Sequence, residues 1–192
     1  MKTINFVLTV LAAVLVSGPM NVVAQEVNPM STNKKILVVY FSHTGNTREI
    51  ANQIHKRVGG DIFEIQSVDP YPTDYDTVVK QARKELDSGY KPALKSKIEN
   101  LGSYDVIFIG YPNWWGTFPA PVRTFLSSDD FSGKVIVPFC THEGSGLGKS
   151  VGDIVKLCPK SKLLNGLAIR GSTVKTASDK VSEWLRKINM TK

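Results

Sequence analysis

Short apolar runs alternate with amphipathic stretches along this chain from residue 36 onward, and that alternation restricts the fold more than any other feature of the sequence. The runs fall at 36–41 (ILVVYF), 61–66, 106–110 (VIFIG), 135–139 (VIVPF) and 163–169. Helical patterns lie at 46–58, 74–86 and 121–127; a fourth carries Leu147, Val151, Ile154 and Val155, and a last one Val181, Trp184, Leu185 and Ile188. In the first helix Ile50, Ala51, Ile54 and Val58 share one stripe, which Gly59 and Gly60 stop. Strands that are apolar at successive residues are covered on both faces. Five strands, each followed by a helix, make an α/β fold: a doubly wound parallel sheet between two helical layers. The 61–66 run alternates enough to be its edge. With 42% hydrophobic and 21% charged side chains in 192 residues, the chain holds one such domain and is neither disordered nor a disulfide scaffold.

In open parallel sheets ligands bind beyond the carboxyl ends of the strands, where the strand order reverses. The loops leaving the first, third and fourth strands are therefore the ones that carry chemistry. The first is Ser42, His43, Thr44, Gly45, Asn46 and Thr47 (SHTGNT), opening the first helix. Its hydroxyls, amide and glycine can bring N–H and O–H groups together at a helix N-terminus, which suits a phosphate monoester; ordinary helix capping is the alternative. It contains no Lys or Arg, so any anion would be held by dipoles and hydrogen bonds. The second loop reads Tyr111, Pro112, Asn113, Trp114, Trp115, Gly116, Thr117, Phe118, Pro119. Adjacent tryptophans point apart and cannot both enter one core. Either one lines a surface pocket where a planar ligand stacks, or the pair packs over a helix end. The third loop runs from Cys140 through Thr141, His142, Glu143, Gly144, Ser145 and Gly146 to Gly148, and its glycines let backbone approach a ligand edge.

Other chemistries are excluded by single positions. EGSGLGKS resembles a nucleotide-binding P-loop, but Glu143 stands where that loop needs a glycine, and a carboxylate there repels phosphate. His142 and Glu143 begin a zinc-helix pattern that lacks its second histidine, and no turn carries the nucleophile elbow of a hydrolase. No catalytic or metal-ligating residue is assigned.

Taken together, SHTGNT, YPNWWGTFPAPV and FCTHEGSGLG resemble the phosphate loop and the two flavin loops of the flavodoxin-like family, in its short-form, exported bacterial members. The resemblance spans roughly Lys35 to Met190. It implies a five-stranded sheet in the order 2-1-3-4-5 and one flavin mononucleotide (FMN). By the resemblance, Ser42, Thr44, Gly45, Asn46 and Thr47 hold the phosphate, His43 contributes through its backbone, and Pro112, Asn113, Trp114, Trp115 and Gly116 flank the isoalloxazine, with Trp114 first for stacking. Thr141, His142, Glu143, Gly144, Ser145 and Gly146 border its other side. Relatives commonly have glycine where this chain has Glu143. Tyr71 or Tyr75, after strand two, is placed at the same edge. In this fold Cys140 ends strand four and Cys158 ends the helix that runs back from it, on the order of 15 Å apart at ~1.5 Å per residue, so both are expected as free thiols.

Residues 1–24 read as a secretory signal: Lys2, an apolar run at 4–16, then Pro19 and small residues before a cut after Ala24. The run is too short for a membrane anchor, which needs about 18 to 20 apolar residues. Residues 25–34 read as a linker and 35–192 as the domain, exported to a periplasmic or extracellular compartment. The formal charge is +7 and the sequence pI about 9.4. Acidic partners of basic proteins, nucleic acid included, come to mind first, but no aromatic-studded strand platform is present and export argues against nucleic acid. Three functions stay open: electron transfer through FMN to a redox partner protein, FMN-dependent reduction of quinones or similar small acceptors, and a non-redox binding module on the same fold.

Overall fold

A computed structural model describes residues 34–191; the signal and most of the linker lie outside the described residues. The elements follow in chain order: β1 (Ile36–Tyr40), α1 (Asn46–Val58), β2 (Asp61–Glu64), α2 (Tyr75–Ser88), β3 (Val106–Pro112), α3 (Ala120–Ser128), β4 (Val135–His142), α4 (Ser150–Leu157), β5 (Lys162–Leu163), β6 (Leu167–Arg170) and α5 (Ser178–Lys187). The strands are all parallel, in the order β2-β1-β3-β4-β5, with β6 also on β4. The fifth strand of the sequence reading is thus two pieces on one neighbour. Ile136 pairs with Leu163 but Phe139 pairs with Leu167, so one extra residue bulges out around Leu164 to Gly166.

Alternate residues of the buried strands feed two separate cores. Val38, Tyr40, Phe108, Val137 and Phe139 pack against α1 and α5, where Ile50, Ile54, Val181, Trp184 and Leu185 close the layer. Leu37, Val39, Ile107, Ile109 and Ile136 face α3 and α4, meeting Val122, Phe125, Leu126 and Ile154. At roughly 1.5–3 kcal/mol for each large apolar side chain removed from water, these layers hold the sheet edge rigid. Gly110 in β3 is required by the packing, since a Cβ there would lie 2.2 Å from the Phe139 ring.

The elements differ from the sequence expectation mainly at the ligand edge. β3 runs to Pro112 and β4 to His142 because Tyr111 pairs with Cys140 and Pro112 with Thr141. The two loops therefore begin as paired strand. α4 starts at Ser150, not before Leu147, whose carbonyl instead closes a turn with the Ser150 amide at 3.2 Å.

Candidate functional site

β1 stays in the sheet until Phe41, whose amide donates to the Gly110 carbonyl at 2.9 Å, and the first loop then departs. Gly45 has φ of 92°, a left-handed turn that redirects the chain into α1. The Ser42 hydroxyl accepts from the amides of Gly45 and Arg48, both at 3.2 Å. Thr47 is buried, its Oγ1 2.8 Å from Oγ1 of Thr141. These two hydroxyls build the loop, whereas the amides of Thr44, Asn46 and Thr47 meet no acceptor among the described residues. Such unsatisfied donors at a helix N-terminus attract an anion. Arg48 adds no free cation, because its guanidinium lies 2.6 Å from Glu64.

Facing the loop are two residues that the sequence reading did not select, Arg170 and Gly171, at the end of β6. A Cβ on Gly171 would sit 2.8 Å from Asn46 Nδ2 and 2.2 Å from Glu143 Oε1, so glycine lets these two polar side chains pack directly on the backbone there, in a polar recess. Arg170 donates to the Glu143 carbonyl at 3.2 Å, and its Nε lies 4.0 Å from Glu143 Oε2. The free amides, the Asn46 carboxamide and the nearby guanidinium fit a phosphate; the Glu143 carboxylate opposes it and Arg170 offsets that charge. The signal for Arg170 was the rule already applied, since the fifth strand also ends at the carboxyl edge.

The second loop is a two-residue hairpin. Trp114 and Thr117 exchange N–H···O bonds of 2.8 and 3.1 Å, and Trp115 and Gly116 between them have φ of 53° and 80°. Positive φ at both central positions matches a type I′ turn, which favours Asn, Asp or Gly. Tryptophan in that region costs roughly 1–3 kcal/mol of backbone strain. Trp115 is nevertheless 47% exposed, its Nε1 donating to the Val79 carbonyl at 3.1 Å and its ring 5.4 Å from the Arg83 guanidinium. Trp114 goes the other way, edge-to-face with Tyr71 at 5.0 Å, Phe41 at 5.8 Å and His43 at 5.8 Å. The pair is thus divided between an inner aromatic cluster and the surface.

A pocket of about 520 Å³ opens between these loops and α2, lined by His43, Thr44, Thr73, Tyr75, Pro112, Asn113, Trp114 and Trp115 over a floor of Val78, Val79 and Ala82. It holds six of the residues chosen from sequence, and Tyr75 stands at its mouth. The His43 side chain enters it, beyond the backbone role expected: its Nε2 donates to the Pro72 carbonyl at 2.8 Å, which leaves Nδ1 as the acceptor of the neutral ring. Tyr71 lies behind Trp114 and donates to buried Glu85 at 2.5 Å, while Gln81 donates to the other Glu85 oxygen at 2.8 Å. Burial, then the Glu85 bond, pushes the Tyr71 phenol far up, so it stays a donor.

Thr141, His142, Glu143, Gly144, Ser145 and Gly146 lie outside that pocket and are tied to the other two loops. Asn113 Nδ2 donates to the Gly146 carbonyl at 2.7 Å, and the Lys149 amide to Gly116 at 2.7 Å. The left-handed backbone in this loop falls on Gly144, Gly146 and Gly148, so Glu143 sits at a position that needs no glycine. Both cysteines are free and buried. Burial raises the thiol of Cys140 to about 12 and that of Cys158 to about 11, so neither is a nucleophile near neutral pH.

Comparison with known proteins gives the family. A family model described as Flavodoxin matches residues 35–188. A protein of Bacteroides eggerthii described as a flavoprotein is 37% identical, with 81% of this chain and 98% of that one covered and a TM-score of 0.72. A Lactobacillus acidophilus flavoprotein solved with FMN shares the fold at 22% identity and a TM-score of 0.60, over 78% of this chain and 99% of that one. Flavodoxin 1 of Escherichia coli is 26% identical over 106 residues, 53% of this chain and 46% of that protein. The chain spans about half the length of the curated relatives it matches. Because the family match runs from the residue before β1 to the residue that closes α5, it takes in every element that shapes the pocket and the recess, and the chain belongs to the flavodoxin family.

Proposed function

We propose that this protein binds one FMN and passes electrons through it. The observation that carries the reading is the continuity between the unsatisfied amides at the start of α1 and the aromatic-walled pocket beside them. The amides of Thr44, Asn46 and Thr47, with the Asn46 side chain, would hold the phosphate, and the left-handed turn at Gly45 brings these amides to the start of α1. Trp114 and Trp115, with Pro112 and Asn113, wall the ring. Thr141 and Gly146 act from behind, holding the first and second loops in register. When bound, FMN supplies the redox chemistry, and the protein sets access to it. Trp114 excludes water from the inner wall and the Tyr71–Glu85 pair keeps a proton on the phenol behind it. Both the Bacteroides and the Lactobacillus relatives support a flavin ligand.

Export through the residue 1–24 signal, and a redox protein partner in that compartment, belong to the same proposal. A second reading, reduction of quinones or similar small acceptors, is favoured by the pocket opening to solvent beside Trp115. Titration of the purified protein with FMN tests the main reading: one equivalent is expected to bind, with quenched flavin fluorescence and a shifted visible band. Protein that stays colourless after incubation overturns it. NADH or NADPH oxidation with a quinone at about 1 s⁻¹ or faster moves the assignment to an enzyme.

A further inference from the structure

We infer that the outer face of α2 beside Trp115 is a second ligand site, for a planar compound bearing an anionic group such as a carboxylate, sulfonate or phosphate. The inference rests on the neighbouring pocket being the flavin's. Val79 and Trp115 line that pocket and also border a shallower groove of about 800 Å³, completed by Lys80, Arg83, Lys84, Asp87 and Ser88. A ligand in the groove would therefore be separated from the pocket by one indole.

Folding alone does not account for Trp115. Its backbone is in a region unfavourable for a bulky residue, and about half its surface remains in water. Yet the ring is fixed, by the Nε1 bond to Val79 and by Arg83 near its face. A strained, exposed and immobilised aromatic at the rim of a pocket is a ready surface for a planar ring.

The charges decide what the ring must carry. Arg83 is already bonded to Asp87 at 2.8 Å. Lys80 and Lys84 stand one turn apart on the same face of α2, and neither forms an ion pair among the described residues. Two unpaired ammonium groups beside an apolar shelf of Val79 and Trp115 are complementary to an anion attached to a flat ring. The lining is confined to one face of α2 and the Trp115 ring, which suits a small molecule.

The test compares anthraquinone-2-sulfonate with its neutral 2-hydroxymethyl analogue by calorimetric titration, with the protein free of FMN and saturated with it. The sulfonate is expected to bind about tenfold more tightly, as two exposed charge contacts allow, and added salt should weaken it alone. Lys80→Ala with Lys84→Ala should remove the preference and leave the neutral analogue unchanged. Trp115→Asn, which suits the turn and keeps the fold, should weaken both compounds. Equal binding of the two probes, or a preference that survives loss of both lysines, overturns the site; so does abolition of sulfonate binding by saturating FMN, which would put it in the flavin's own pocket. Failure of the flavin reading is separate: it is read from the FMN titration alone, and a lysine-dependent preference in the FMN-free protein would still establish the groove.

Discussion

The loops after β1 and β3 leave the same sheet edge a few ångströms apart in register and are built by opposite means. In the first, the hydroxyls of Ser42 and Thr47 turn inward: Ser42 accepts from two amides and Thr47 pairs with Thr141, and the amides of Thr44, Asn46 and Thr47 are left without acceptors among the described residues. In the second, the backbone is closed on itself by the Trp114–Thr117 hairpin, and what reaches the pocket is aromatic side chain. An anion cradle made of main chain tolerates many side chains so long as the turn survives. A wall made of side chains depends on each residue and on whatever braces the loop from behind.

Those braces are where the comparison breaks most severely. Gly148 has φ of 56°, and a Cβ on it would lie 2.4 Å from the Gly116 carbonyl oxygen. Backbone cannot swing aside as a side chain does. Gly148→Ala is expected to cost about 3 kcal/mol, from left-handed strain and overpacking together, and to weaken FMN binding through the second loop. Urea denaturation and FMN titration read the two effects; a stability loss below about 1 kcal/mol would mean that the loops slide past each other freely.

The aromatic wall is also braced from within. Tyr71 supports Trp114 and gives buried Glu85 one of its two side-chain donors. Tyr71→Phe keeps the ring but strips that donor from a carboxylate that is 8% exposed, for about 2 kcal/mol. Adding Glu85→Gln should recover part of this, since a neutral amide buried there needs less compensation. No recovery would show that the loss does not arise at the Glu85 carboxylate.

Weaker still is the link beneath the first loop. Thr47→Val or Thr141→Val alone leaves one buried hydroxyl without its partner and should cost about 1 kcal/mol. The double variant should cost less than the two singles added, because both polar groups are gone. Strict additivity would mean that the 2.8 Å pair contributes nothing specific.

Much of this was legible before any coordinates. The uninterrupted apolar runs at β1, β3 and β4 could only be buried parallel strands, and the loops they release follow from that. Strand order came from the family motifs, not from periodicity. The bulge between β5 and β6 did leave a signal, the Asn165-Gly166 turn dipeptide inside an apolar run, and it is there that pairing with β4 slips by one. The hairpin was hidden because tryptophan at its first central position is contrary to turn chemistry. Thr73, Val78, Val79 and Ala82 were missed as pocket residues for a different reason. Thr73 lies in the connection before α2 and the other three inside a helix, and only tertiary packing shows that Val78, Val79 and Ala82 form the pocket floor.

The smallest expected effect is in the third loop, which serves both of the others. His142 is held below its ordinary value of 6.5, first by burial and then by the positive charges of Lys180 and Arg170, with Glu143 pulling the other way. Its Nδ1 also accepts from the Gly144 amide at 2.9 Å, a bond that a proton on that nitrogen would break. As pH falls through 6.5 the unfolded chain takes up this proton before the folded one does. Stability is therefore unaffected by His142 above that pH and is lost as pH drops from there toward the lower folded value. His142→Asn should flatten this limb of the stability profile between about pH 7 and 5, where unperturbed histidine titrates. Glu143→Gln should steepen it, because it removes the one nearby charge that favours the imidazolium. If Glu143→Gln flattened the limb instead, the carboxylate would be acting on the phosphate recess through Asn46 and Gly171 and not on the histidine, and the third loop would belong energetically to the first.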